Sequence, residues 1–90
     1  MTSAAAVQVE EAVRAVLTEV LGLDADRVAG FDADTPLFGA LPELDSMAVA
    51  SLLTELEDQL DIIIDDDEVD GEMLETFGNL TAFAVAKKLG

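Results

Sequence analysis

Histidine, cysteine, tryptophan and tyrosine are all missing from this chain of 90 residues, and only Arg14, Arg27, Lys87 and Lys88 are basic. Each absence closes off a class of chemistry. Without histidine or cysteine, no Ser-His-Asp or Cys-His arrangement can be assembled to activate a nucleophile. Without cysteine there is neither a disulfide framework nor a thiolate metal site. An enzyme made from this alphabet would have only carboxylates and hydroxyls to work with, in a domain that offers little pocket. The scarcity of positive charge disfavours nucleic acid and anionic membrane as partners. Nowhere do ~18 apolar residues run together, as a membrane span needs. Met1 to Val7 lacks the basic start and apolar run of a secretion signal, so a cytoplasmic location is the expectation.

What the chain has in excess is acid. Its 20 Asp and Glu give a formal net charge of −16, and the span from Val28 to Ala86 holds 15 acids and no base. Such a surface steers toward partners with basic patches. Acidity on this scale is also a signature of disorder. Against that, 51% of the residues are hydrophobic and they recur at helical spacing, which predicts a folded chain. A chain of this size buries roughly 60 to 65% of its unfolded surface, enough for one small core, and residues 1–90 read as a single domain.

The periodicity predicts an all-α fold, a small four-helix bundle with a long loop between the first and second helices. The first helix runs from about Ser3 to Leu21, with Val9, Val13, Val16, Leu17 and Val20 inward and Glu10, Glu11, Arg14 and Glu19 toward water. Gly22 stops it. From Leu23 to Leu44 there is no clear period, and the length exceeds that usual for structureless loops, so Val28, Phe31, Leu37, Phe38 and Leu41 are expected to fold back as anchors. The second helix, Asp45 to Leu60, carries Val49, Leu52, Leu53, Leu56 and Leu60 on one stripe. Ile62, Ile63 and Ile64 read as a buried extended link. A short third helix from about Asp67 to Thr76 is expected to end at Gly78, with Met73, Leu74 and Phe77 in the core. Asn79 is expected to cap a fourth helix, Leu80 to Leu89, whose Leu80, Phe83 and Ala84 face inward. Asp66, Glu68, Asp70 and Gly71 match the opening of a calcium loop, but its twelfth position is Phe77 where a bidentate Glu is required, so no metal site is assigned.

The junction Leu41-Pro42-Glu43-Leu44-Asp45-Ser46-Met47 organises the chain. Asp45 suits the N-cap, because its carboxylate accepts an orphan amide of the first turn and its charge complements the helix dipole. Ser46 then stands at the first helical position near the surface, where free amides and the positive end of the dipole favour a phosphate. A serine so placed, in a chain with no imidazole or thiol, is a site of modification rather than catalysis.

Asp45-Ser46-Met47 at the head of the second helix of a small, very acidic helical domain resembles the acyl carrier proteins, whose Asp-Ser-Leu motif carries 4'-phosphopantetheine on the serine. The resemblance extends over nearly the full chain, through Thr35-Pro36-Leu37-Phe38, the acidic second helix and the Ile-rich entry to the third. It departs from the family where a glycine commonly precedes the Asp-Ser pair, here Glu43 and Leu44, and where Met47 replaces the commoner leucine. The Gly-Gly pair usual in peptidyl carriers is absent. The wording from Pro42 to Val49 is similar to discrete carriers associated with exosortase systems. The resemblance implies a monomeric carrier that is not itself an enzyme: a phosphopantetheinyl transferase places the arm on Ser46, beside Asp45 and Met47, and the arm's thiol supplies the sulfur this chain lacks. It also implies docking of acyl-loading and acyl-processing enzymes with basic patches on the second helix, through Met47, Ser51, Glu55, Glu57 and Asp58. Leu53, Leu56, Ile62 and Phe83 are expected to be core first, and only secondarily to line a cavity that shelters a fatty chain. The competing reading is a non-catalytic acidic helical interaction module in which Asp45 and Ser46 are only a helix cap and its neighbour.

Overall fold

The structure, a computed structural model, describes residues 3–90. Its elements are α1 (Ala4–Leu21), α2 (Ala25–Ala29), α3 (Ser46–Leu60), a 3-10 turn at Asp66–Glu68 and α4 (Phe77–Leu89). The architecture is all-helical, and among the described residues the extended pairing is limited to one isolated antiparallel bridge, Pro36 with Thr76. Among the described residues no helix is long and apolar enough to cross a membrane.

Helix α1 begins where Ser3 Oγ accepts the Ala6 amide at 3.1 Å and ends at Gly22, whose φ of 66° places it in the left-handed region that glycine adopts without strain. Its buried stripe, Val9, Val13, Val16, Leu17 and Leu21, packs against α3, α4 and α2. Each of these side chains contributes roughly 1.5–3 kcal/mol by leaving water, so α1 is the spine to which the other helices attach.

Arg14 departs from expectation. It does not face water but turns beneath the connection that follows α1. Its Nη1 donates to the Val28 carbonyl at 2.5 Å and its Nη2 to the Phe31 carbonyl at 2.9 Å, while the guanidinium lies 4.5 Å from the centre of the Phe77 ring. Phe31 meets the same ring edge-on at 6.0 Å. The first carbonyl belongs to α2 and the second lies just past its C-cap Gly30; α2 is a single helical turn inside what reads in sequence as loop. Asp24 Oδ1 caps it by accepting the Asp26 amide at 2.9 Å. Five residues are too few to display a period, which is why it escapes notice.

The rest of the connection is stitched to a distant segment. Leu37 N donates to Glu75 O at 2.9 Å and Phe38 N to Leu74 O at 3.0 Å, while Phe77 N donates to Thr35 O at 2.8 Å and Gly78 N to Ala33 O at 3.0 Å. Val28, Phe31, Leu37 and Leu41 are buried as expected of anchors, but the Phe38 ring is 47% exposed. Only its backbone is anchored.

The expected third helix does not form. Asp61 closes α3 with a φ of 55°, and the chain then runs extended with Ile62 and Ile64 half-buried. Ile63 is 75% exposed, so the isoleucine link is buried on one side only. After the 3-10 turn at Asp66–Glu68 come Gly71 and a series of turns. Clustered acids repel one another in a helix, and the Asp70 carboxylate takes the Met73 amide at 2.8 Å, favouring a turn. Glu68 is fixed from two sides, accepting the Asp65 amide at 2.9 Å and the Lys87 ammonium at 3.0 Å. Among the described residues no group of three or more acids stands close enough to hold a metal ion.

The start of α4 also corrects the reading from sequence. Thr76 is the N-cap, its hydroxyl accepting the Asn79 amide at 3.0 Å. Asn79 lies inside the first turn and donates its side-chain amide to Glu72 O at 2.9 Å. Gly78 therefore interrupts nothing. A Cβ at that position would stand 2.6 Å from the Ala33 oxygen and 2.9 Å from Ala33 Cα, so the glycine is there for close approach of two backbones. Leu80 and Ala84 are buried and Phe83 half-buried.

Two predictions follow from this packing. Gly78→Ala, which in an open helix would stabilise by about 0.5–1 kcal/mol, should instead destabilise by about 1–3 kcal/mol because backbone must shift. Urea unfolding measures it, and a gain in stability would contradict the close approach. The hydrogen bond from the Asp65 amide, followed by that from Lys87, holds the Glu68 carboxyl below its ordinary pKa. A depressed carboxylate contributes stability that is complete above its unfolded pKa and is lost as pH falls through the folded one. The melting-temperature gap between the wild type and Glu68→Gln should therefore shrink between about pH 6 and about pH 3, whereas a gap independent of pH would contradict the pairing.

Candidate functional site

The stitched connection delivers its last residues, Leu41 to Asp45, to the head of α3. Leu41 and Leu44 are buried, and the Leu44 amide donates to Leu41 O at 3.0 Å. These two side chains pull the loop onto the core on either side of exposed Pro42 and Glu43. Glu43 is further tied by Arg27, the charged atoms being 3.6 Å apart. An exposed pair of that length contributes at most a few tenths of a kcal/mol, so the apolar anchors do most of the holding.

Asp45 is the N-cap of α3, as its sequence position predicts. Its Oδ1 accepts the Ala48 amide at 2.8 Å, and its own carbonyl takes the Val49 amide at 2.9 Å. A helix has four orphan amides at its start. Here they are the amides of Asp45, Ser46, Met47 and Ala48, since that of Val49 makes the first regular helical bond; the cap takes Ala48, and within the helix those of Ser46 and Met47 are left for solvent or an anion. Ser46 is the first helical residue and exposed, so its hydroxyl is open to an external reagent. A phosphate ester on that oxygen would sit beside two amides and the positive end of the α3 dipole.

Two hollows meet at Ser46, the first apolar and the second of mixed polarity. The first, about 420 Å³, is lined by Phe38, Ser46, Val49, Val69, Gly71 and Leu74, among others. The second, also about 420 Å³, leads along α3 past Val49, Leu53, Glu57, Ile64 and Val69. Leu53, Leu56, Ile62 and Phe83 belong to the core or pack against it, as expected first, and of the four Leu53 alone also lines a hollow at Ser46. Leu56 is fully buried core, Ile62 is half-buried against the core, and Phe83 lines a shallow depression with Met73 on α4's side. Two of the missing wall residues, Val69 and Gly71, lie in the stretch that reads as a third helix, so no helical stripe could have placed them beside Ser46.

The outer face of α3 presents the other expected residues. Met47 is 82% exposed, and Ser51 and Asp58 are exposed. Glu55 is half-buried and accepts the Gln59 side-chain amide at 3.0 Å. Glu57 points elsewhere: its Oε2 accepts the Ile64 amide at 2.8 Å. That carboxylate pins the extended link and forms a wall of the second hollow, which leaves Met47, Ser51, Glu55 and Asp58 as the outward set. A side chain at a helix surface can serve the neighbouring segment as readily as a partner, and spacing alone does not separate the two.

Comparison with known proteins agrees with this geometry. A family model described as "Phosphopantetheine attachment site" matches residues 11–84, a span that contains Ser46 and both hollows. The chain is similar to the solution structure of the holo acyl carrier protein NE2163 from Nitrosomonas europaea, at 45% identity over 89% of this chain and 94% of that one, with a TM-score of 0.77. No curated protein matches significantly. An exposed serine heading a capped helix, two hollows beside it, the family match and the shared fold converge, and the chain belongs to the acyl carrier protein family, the carriers that bear covalent 4'-phosphopantetheine.

Proposed function

We propose that Ser46 is the residue that carries the phosphopantetheine and that the chain acts as a carrier without catalytic activity of its own. The observation that bears most weight is the exposed Ser46 hydroxyl at the first position of a helix whose N-cap, Asp45, leaves two amides for a phosphate. In the loading reaction, run by a phosphopantetheinyl transferase, the Ser46 oxygen attacks phosphorus in the pyrophosphate of coenzyme A. The pyrophosphate bond breaks, adenosine bisphosphate leaves, and the hydroxyl proton passes to a base of the transferase. This chain supplies no imidazole for that task. When attached, the arm supplies a thiol for thioester chemistry.

The chain's own residues orient and present. Asp45 fixes the helix start, Leu41 and Leu44 hold the approach, and Met47, Ser51, Glu55 and Asp58 offer an apolar tip with an acidic flank. Acyl-loading and acyl-processing enzymes with basic docking patches fit that surface, and the net charge of −16 speeds their approach at low salt. The hollows beside Ser46 give an apolar group on the arm somewhere to leave water. An acidic interaction module without modification is the competing function, and it gives no role to an apolar hollow that opens beside one serine.

Incubation with a broad-specificity phosphopantetheinyl transferase and coenzyme A, read by intact mass, tests the assignment. The wild type should gain one phosphopantetheine and Ser46→Ala none. An unmodified wild type would favour the interaction module.

A further inference from the structure

Met47 combines three properties. Among the described residues it is the most exposed large hydrophobic one, at 82%, it is the direct neighbour of Ser46 in the first turn of α3, and it is a thioether where leucine would present similar apolar bulk without the sulfur. Met73, by contrast, is buried at 6% exposure. The chain has no cysteine to intercept an oxidant before it reaches methionine. Susceptibility of a thioether to peroxides follows access, so of the two methionines among the described residues Met47 carries the sulfur open to reaction.

We propose that Met47 is a reversible oxidation site that governs docking of enzymes at Ser46, an inference that rests on the carrier reading above. A lone pair on the Met47 sulfur attacks one oxygen of a peroxide and the O–O bond breaks. That oxygen stays on sulfur as the sulfoxide, while the other leaves as water, or as an alcohol from an organic peroxide. Sulfur loses two electrons and the peroxide gains them. Reversal takes a methionine sulfoxide reductase and a dithiol, which is oxidised to a disulfide as the oxygen leaves in water.

The consequence for docking is physical. Before oxidation, an enzyme that covers Ser46 covers an apolar tip that loses nothing by leaving water. Afterwards it must strip water from a sulfoxide oxygen without a prepared donor, a cost of the kind that weakens any interface with an unpaired polar group. The fold is unaffected, because Met47 projects from the helix and contributes little to the core. The switch thus acts on recognition rather than stability.

The test treats the full-length protein with hydrogen peroxide, removes the excess with catalase, locates the added oxygen by peptide mapping, and then measures loading by the transferase. Met47 should oxidise well ahead of Met73, and kcat/KM for loading should fall about tenfold, chiefly through KM, as expected for a contact made equally in ground and transition states. The helical circular dichroism should stay the same, and reductase with a dithiol should restore the rate. Met47→Leu, whatever its starting rate, should lose nothing further on peroxide treatment, and Met47→Gln should load poorly without any. Oxidised wild type loading as fast as untreated protein, oxidation of Met73 in step with Met47, or an equal loss in peroxide-treated Met47→Leu would each overturn the proposal. The carrier reading fails separately, by untreated wild type taking up no phosphopantetheine.

Discussion

A single guanidinium holds together the irregular half of this protein. The carbonyls of Val28, in α2, and of Phe31, just past it, turn toward the bundle, and Arg14 donates to both from the side of α1 while lying on the face of Phe77 from α4. Hydrogen bonds with a charged partner contribute on the order of 1.5–3 kcal/mol each before allowance for partial exposure, and the ring contact about 1 kcal/mol more. Against a total stability of about 5–15 kcal/mol for a domain, that is enough to decide where the connection lies. Two of the other bases also pair with irregular segments. Lys87 ties α4 to the 3-10 turn through Glu68 at 3.0 Å, while Arg27 makes only a longer, exposed pair with Glu43. A chain with so few positive charges directs three of them to its own irregular segments, and the acids dominate what faces outward.

The site is the outcome of that internal arrangement. Once Arg14 and the antiparallel stitch between residues 33–38 and 74–78 have set the connection, Leu41 and Leu44 can drop into the core and the chain enters α3 with Asp45 positioned to cap it. Ser46 then emerges at the surface with two amides beside it. The same stitch brings Leu74 beside Phe38, and with Val69 and Gly71 they form the first hollow against Val49. Exposure of the serine and the apolar space next to it thus have a common cause, a loop held down at its anchors and released at its end.

Sequence reasoning recovered what is local and periodic. The stripes of α1 and α3, Ser46 at the first helical position and Asp45 as its cap all follow from spacing and from side-chain chemistry within a few residues. It failed where the deciding contact is distant. Arg14 falls on the polar side of its helix by spacing, yet its partners are 14 and 17 residues away. Gly78 resembles a helix breaker until Ala33 is seen against it, and Asn79 resembles a cap until Thr76 is found doing that work. The segment after Asp61 has apolar residues at helical intervals, but Gly71, repelling acids and the Asp70 carboxylate on the Met73 amide turn it into a series of turns. Glu57 was legible as exposed acid and not as the anchor of Ile64, because a side chain reaching seven residues onward leaves no mark in a helical pattern.

The proposed function fits this division of labour: a spine, a part-buried arginine and apolar anchors hold the connection, and one hydroxyl at its edge stays exposed for the chemistry we assign to other proteins. The most direct test is fragmentation mass spectrometry of the loaded wild-type protein, which places the added group on a particular residue. The phosphopantetheine should be found on Ser46 alone, with Ser3, Ser51 and every threonine unmodified. Its recovery on Ser51 or any other hydroxyl, with Ser46 bare, would contradict the account at its centre.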